Sequence, residues 1–508
     1  LLLSLIYLFD NLTYFRMISA FQHNLKNSWR FYSSLGSFLN QNLALDWKTS
    51  ESGSQKAPLK NHYNYDLSAN RLQSGLMTVN CDIPSPLSYV TLALKAGTRY
   101  ENLKTRGLVH RLQASIGQET KNCSAVRLSY CLAQLGAQVR TSYTRDCFAF
   151  HLVCTRDKLY AMSDFIFEFN FLKKYLKFRP YALNYFNEAI SGTLIYDWTM
   201  ENTNEQLYVD RQLFHDDPCS YAVDLVHRVA YSTSTLGYSL HCPKWAVSKH
   251  SSVQIESFIA NHLTCDGTVV VGVGTDANLL DEFSNEKLKL SNKKQSELPI
   301  AVYTGGVLVE LSPGKSACVA VAGEGTDIKD TSSIATQLVF SALFGNVNEF
   351  STYSSVTSPL KKAVESVASY EVMGSCFNYF YSDTGLFGVC LKCNPADTDV
   401  VLKSAVAELK KLARGRPEEG KLKAAKALVK RKFLDDSENL DYFCSELAYQ
   451  ACSSDGVKFI TPASFCKLID SVSASDLQTF TSKLFSKPLT VISCGRTEAM
   501  PFIHELIR

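Results

Sequence analysis

At 508 residues, 46% hydrophobic and 20% charged, the chain is long enough for two or three domains with cores of their own. Lys and Arg number 52 against 49 Asp and Glu, and a net charge of +3 excludes nucleic acid or an anionic membrane as a partner held mainly by charge. Sixteen scattered cysteines contain one C-x-x-C, Cys390–Cys393 in GLFGVCLKCN. That run is apolar and strand-like, and a strand sends positions i and i+3 to opposite faces. The expectation is therefore reduced, mostly buried thiols in a non-oxidising compartment, with no metal held by this pair.

In chain order, LLLSLIYLF is about half the length that spans a bilayer, ends at Asp10 and lacks a basic flank. From Met17 the chain is amphipathic and free of acid until Asp46. Ile18, Phe21, Leu25 and Trp29 share one helical face, and His23, Lys26 and Arg30 another. Residues 1–32 thus read as an upstream segment and mitochondrial presequence, with Arg30-Phe31-Tyr32 before Ser33 as the cleavage pattern, and 33–64 as an arm.

The remainder repeats one rhythm. RDCFAFHLVCTRDKLYAMSDFI (145–166) and SDTGLFGVCLKCNPADTDVVLKSAV (382–406) each run strand, turn, amphipathic helix. WAVSKHSSVQIESFIANHLTCDGTVVVGVG (245–274) and KLIDSVSASDLQTFTSKLFSKPLTVISCG (467–495) each run serine-capped helix, then buried strand. This predicts an α+β protein of two homologous domains, 65–280 and 300–508, each a mostly antiparallel sheet packed with helices. The polar stretch 281–299 would be the linker. Gly415 should close one helix and Pro417-Glu418-Glu419 open the next, whose run KLKAAKALVKRK is a solvated face.

Several motifs carry little. GVGTD (272–276) lacks the third glycine of a dinucleotide fingerprint, HDDP (215–218) reads as a capped turn, and Ser358 with Lys361 matches S-x-x-K without context. The stretch GLVHRLQAS (107–115) is different. His110 is followed at i+3 by Gln113 and at i+4 by Ala114, where H-x-x-E-H would place a general base and a second zinc ligand. An amide does not accept a proton near neutral pH, and alanine has no ligand atom.

The context of that helix, LQSGLMTVNCDIPSPLSYVTLALKAGTRYENLKTRGLVHRL (72–112), resembles the inverted zinc peptidases of the mitochondrial processing peptidase family. LYVDRQLFHDDPCSYAVDLVHRVAY (207–231) is similar to the family's third-ligand helix and places Asp210 where the metal-binding Glu stands. TGGVLVEL (304–311) and GSCFNYFYSDTGLFGVCL (374–391) extend the resemblance over roughly residues 65–508. Ala114 and Asp210 are farther apart in sequence than the family spacing, which suggests an insertion near 169–186. LFGNVNEFSTYSS (343–355) keeps only Gly345 of the family's presequence-binding glycine loop.

The chain is also similar, along its length, to the family's non-catalytic branch, structural subunits of mitochondrial ubiquinol–cytochrome c reductase (complex III). That implies no catalytic residue, with His110, Gln113, Ala114 and Asp210 as degenerate positions, and no metal or cofactor. It further implies a place on the matrix side of the inner membrane, peripheral to it, beside core protein 1, cytochrome b and cytochrome c1. Electron transfer would belong to those partners, since the chain has no haem C-x-x-C-H. The alternative is a presequence-binding α-type subunit of the processing peptidase.

Overall fold

A computed structural model describes residues 65–496 apart from 66, 161–180, 289, 296–297, 312–315, 348–357, 416 and 455–458. The expected presequence and arm, residues 169–180 of the expected insertion and most of the 343–355 loop lie outside the described residues.

Two sheets repeat one plan. Strands β1 (Leu67–Arg71), β2 (Met77–Cys81), β3 (Leu87–Leu94), β5 (Gln138–Tyr143), β6 (Phe148–Thr155) and β8 (Thr268–Val273) form the first, in the order β1-β2-β8-β3-β6-β5; β4 (Glu119–Thr120) and β7 (Thr193–Leu194) pair apart from it. Strands β9 (Gly306–Leu311), β10 (Ala317–Glu324), β11 (Met373–Phe380), β12 (Gly385–Cys393) and β13 (Thr490–Gly495) form the second, in the order β11-β12-β10-β13-β9. Each sheet has one parallel pair, β2 with β8 and β9 with β13, and is otherwise antiparallel. The α+β repeat expected from the strand and helix pattern is therefore present, with β1 as an extra edge strand in the first sheet.

The first half contributes α1 (Leu108–Ser115), α2 (Ala125–Gln134), α3 (Ala182–Ser191), α4 (Asp197–Asp216), α5 (Pro218–Ala230), α6 (Ser252–His262) and α7 (Ala277–Glu286). The second contributes α8 (Thr331–Phe344), α9 (Pro359–Glu365), α10 (Thr398–Arg414), α11 (Glu419–Glu438), α12 (Leu440–Ser453), α13 (Pro462–Ser471) and α14 (Ala474–Leu484). Capping boxes start the helices where serines lead them: Ser251 with Gln254 at α6 and Ser473 with Asp476 at α14. The weak motifs resolve in the same way. Asp217 caps α5, Asp276 of GVGTD caps α7, and Ser358 caps α9 by accepting the Lys361 N–H.

Two expected boundaries shift. Within the stretch read as an insertion, Ala182, Leu183 and Phe186 are buried in the first-half core, so its last residues begin a core helix. The stretch read as a linker starts inside α7, whose Leu280 and Phe283 are buried while Glu282, Asn285 and Glu286 are its wet face. Ser291 then exchanges backbone bonds with Leu263 and Cys265.

One helix of each half leaves its own sheet and covers the other. Helix α5 packs on β10, β12, β13 and β9, while α12 packs on β3 and β8. The strand period prepares both seats. Along β10, Val319 and Val321 face the second half's own helices, whereas Cys318, Ala320 and Ala322 face α5, and these small side chains let the helix approach. Under α5 lie Leu225 and Val226, each fully buried side chain contributing about 1.5–3 kcal/mol. Phe443, Leu447, Ala448 and Ala451 of α12 bury equivalently on Val79, Ala93, Val269 and Val271.

Candidate functional site

The AGTRYE turn positions α1. Gly97 lies where a Cβ would come 2.2 Å from the Arg145 carbonyl oxygen, so only glycine allows that approach. Arg99, buried, donates to Asp383 and to the Ser382 hydroxyl of the second half and pairs with Asp146, while Asp146 accepts the Ser382 N–H at 3.1 Å. Glu101 turns the other way and accepts the N–H groups of Gly107 and Val109, both at 2.8 Å, at the start of α1. Burial pushes its carboxyl up to about 8, against those two N–H groups. Gly107 adopts φ +82°, and a Cβ there would come 2.5 Å from the Cys242 Cα.

His110 is 2% exposed. Its Nδ1 accepts the Cys242 N–H at 3.1 Å, so the neutral ring carries its proton on Nε2. That nitrogen faces Asp210 Oδ2 of α4 at 3.5 Å. Burial, and then the neighbouring Arg111 charge, lower the His110 pKa to about 4, so the ring is neutral at pH 7. Of the other two expected positions, Gln113 donates from Nε2 to the Thr141 carbonyl at 3.2 Å, away from any shared centre. Ala114 packs with Leu207, Cys242, Ala246 and Val247, an apolar plug on the face where a second ligand would project. The structure thus brings His110 and Asp210 together and sends Gln113 and Ala114 elsewhere.

Arg111 is the neighbour that the motif pattern passes over. It is 1% exposed and donates to the Met200 carbonyl at 2.9 Å, to Asn204 Oδ1 at 2.6 Å and to the Val247 carbonyl. It fastens α1 to α4 and to the 242–247 segment through neutral acceptors. An uncompensated guanidinium beside His110 opposes a divalent cation there, just as it opposes protonation of the ring. Phe214 stacks on His241 with ring centroids 4.1 Å apart, and His241 meets His110 edge-on at 5.0 Å.

A cavity of 2340 Å³ lies between the halves, lined by Tyr143, Arg145, Leu240, Tyr379 and Lys421 among others, but not by His110, Gln113, Ala114 or Asp210. The degenerate site sits behind its wall. Arg145 and Asp224 form a buried ion pair at 2.5 Å there, and His227 Nε2 accepts from the Tyr381 hydroxyl at 2.8 Å across the halves.

Among the described residues, metal-ligating side chains gather in a group of three at Cys219, Cys318 and Cys390, whose sulfurs all lie within 4.8 Å of one another. Spacing gave no sign of this: the members are 99 and 72 residues apart. The strand period did separate Cys390 from Cys393, which belong to different cores. None of the sixteen cysteines is in a disulfide.

Residues 77–244 match the family described as Insulinase (Peptidase family M16), and residues 251–429 match the Peptidase M16 inactive domain. Among relatives, the chain is 25% identical over 473 residues to cytochrome b-c1 complex subunit 2 of Rattus norvegicus, covering 93% of this chain and 98% of that protein. It is 24% identical to the Homo sapiens subunit of the same name, covering 87% and 92%. Against the probable mitochondrial-processing peptidase subunit alpha-1 of Arabidopsis thaliana it is 24% identical, covering 86% and 83%.

Proposed function

Because the chain belongs to the M16 peptidase family, we propose that it is a structural, non-catalytic subunit of complex III, of the core protein 2 type. It would lie peripherally on the matrix side of the inner mitochondrial membrane. Its partners would be core protein 1, cytochrome b and cytochrome c1, which the chain supports without carrying electrons itself. The observation that carries this reading is the closed His110 site. The base is an amide turned to Thr141, the second ligand is an apolar plug, and the remaining histidine is engaged at both ring nitrogens. Catalytic zinc needs three protein ligands and an open position, and two are too few. Two of the named relatives, covering 93% and 87% of this chain, are cytochrome b-c1 complex subunits 2, which supports the assembly role. No helix among the described residues is long and apolar enough to cross a membrane, in keeping with a peripheral position.

The α-type processing peptidase relatives favour a second reading, a presequence-binding subunit. Against it stands the 343–355 stretch, where one glycine replaces a mobile glycine-rich loop. Native purification from mitochondria separates the two. Co-migration with b- and c-type haem, and joint loss of assembled complex and quinol oxidation when the chain is depleted, are expected. A haem-free heterodimer that cleaves presequences would replace the first reading by the second.

A further inference from the structure

The seat of α5 on the second sheet needs only small side chains, and alanine at 320 and 322 meets that need. Yet sulfur occupies a contiguous part of it. Cys318 of β10 and Cys390 of β12 place their Sγ atoms 3.2 Å apart, diagonally across the ladder, since Cys318 is paired with Lys392 and Cys390 with Ala320. Cys219, the second residue of α5, brings its Sγ to 3.8 Å from that of Cys318. Cys494 of β13 stands directly opposite Cys318 in the next ladder, its Sγ donating to the Pro218 carbonyl at 3.6 Å. Cys318, Cys390 and Cys494 are 0%, 4% and 2% exposed, and Cys219 is half-buried at the rim, which leaves an entry path.

An ion bonded to sulfur at about 2.3 Å spaces its ligands about 4 Å apart. The three thiols already approach that triangle. Carboxylates and imidazoles are absent from the group, so the donor set is uniformly soft and selects a thiophilic d10 ion, zinc or cuprous copper, over calcium or magnesium.

We propose that Cys219, Cys318 and Cys390 bind one thiophilic d10 metal ion. Each thiol that ligates releases its proton to solvent, and no electron is transferred. Three sulfurs suffice for cuprous copper, whereas zinc would complete its tetrahedron with a further ligand such as water. Because Cys219 belongs to a first-half helix and the others to the second sheet, the ion would clamp the two halves of the chain. Its ligands join a first-half helix to the second sheet, so its role is structural. It is independent of the complex III reading.

The full-length chain, purified under reducing conditions without chelator, is expected to retain about one zinc or copper per chain. Elemental analysis distinguishes the two metals. The ion should be lost in Cys318→Ser and in Cys390→Ala, and kept in His110→Ala and in Cys466→Ser, which lies outside the group. Cobalt(II) added to the metal-free wild type should give thiolate-to-metal charge-transfer absorption, a measurement that does not depend on how well a variant folds. Absence of both retained metal and that absorption in the wild type would overturn the proposal. So would metal that survives both cluster variants, or a Cys318–Cys390 disulfide in the reduced preparation.

Discussion

Two regions of this molecule are built to the same size of problem, and they solve it in opposite ways. Around His110, first-half elements surround a polar ring with a backbone N–H, an exposed carboxylate and a buried guanidinium, so that both ring nitrogens face a local partner. Around Cys318, a helix from one half and strands from the other leave three thiols facing one another. The first region has the outline of a metal motif, with Gln113 and Ala114 turned away from its centre. The second has no motif and keeps the geometry of ligands. What separates them is the source of the convergence: a helical repeat of four residues in one, long-range packing of α5 on a foreign sheet in the other.

Asp224 links the two. It lies on α5, pairs with Arg145, and accepts from the N–H of Leu240, two residues before the Cys242 that holds His110. Asp224→Ala leaves Arg145 buried without its carboxylate, and breaking a buried pair from one side costs about 3–5 kcal/mol. Urea unfolding should show that loss. If the variant is as stable as the wild type, the pair does not hold α5 and the contrast between the regions loses its hinge.

The next largest effect tests whether the first region can be reopened. Restoring Glu at 113 and His at 114 breaks the Gln113–Thr141 bond and forces an imidazole among Leu207, Ala246 and Val247. Overpacking of this kind costs about 1–3 kcal/mol. The double variant Gln113→Glu, Ala114→His should therefore unfold earlier than the wild type and show no zinc-dependent cleavage of a presequence peptide. Robust cleavage would mean that the supporting residues of an active site had survived.

Much of this was legible in the sequence, for reasons that differ by element. The two halves announced themselves because strand alternation and serine caps are local signals, as at Ser251 and Ser473. The degenerate site was legible because His110, Gln113 and Ala114 sit within one turn of each other. Arg111 was invisible, since two of its acceptors are backbone carbonyls at 200 and 247, which no residue type encodes, and a third is the distant Asn204 side chain. The linker was misplaced because the wet face of α7 carries the same polar residues as a loop, and only Leu280 and Phe283 betray it. The thiol group needed the exchange of helices between halves, a tertiary fact. Small residues on alternate positions of β10 were its one trace.

A smaller effect separates the regions by pH. The folded His110 pKa, about 4, lies below its ordinary value of 6.5, so the ring contributes stability that is present above pH 6.5 and lost as pH falls through 4. His110→Gln removes this contribution, and the slope of stability against pH between 6.5 and 4 should flatten by at most about 1.4 kcal/mol per unit. His151, His241, His250 and His262 are lowered likewise, so a residual slope of the same sign remains in the variant. An unchanged slope would place the His110 proton elsewhere than the geometry does.

The smallest expected effect is the most specific to the closed site. Asp210 is the position where the family resemblance puts a metal ligand, and its side chain is 38% exposed. Its partner His110 is neutral at pH 7, and 3.5 Å is a long contact for a neutral N–H to a carboxylate. A pair whose carboxylate is exposed and whose partner is neutral is worth at most about 1 kcal/mol, and replacing the carboxylate by an amide keeps an acceptor oxygen in the same place. Asp210→Asn should therefore leave both the unfolding midpoint and the metal content within error of the wild type, whereas Cys318→Ser should change both. A chain that lost bound zinc on Asp210→Asn would have its metal at the histidine, and the roles of the two regions would be reversed.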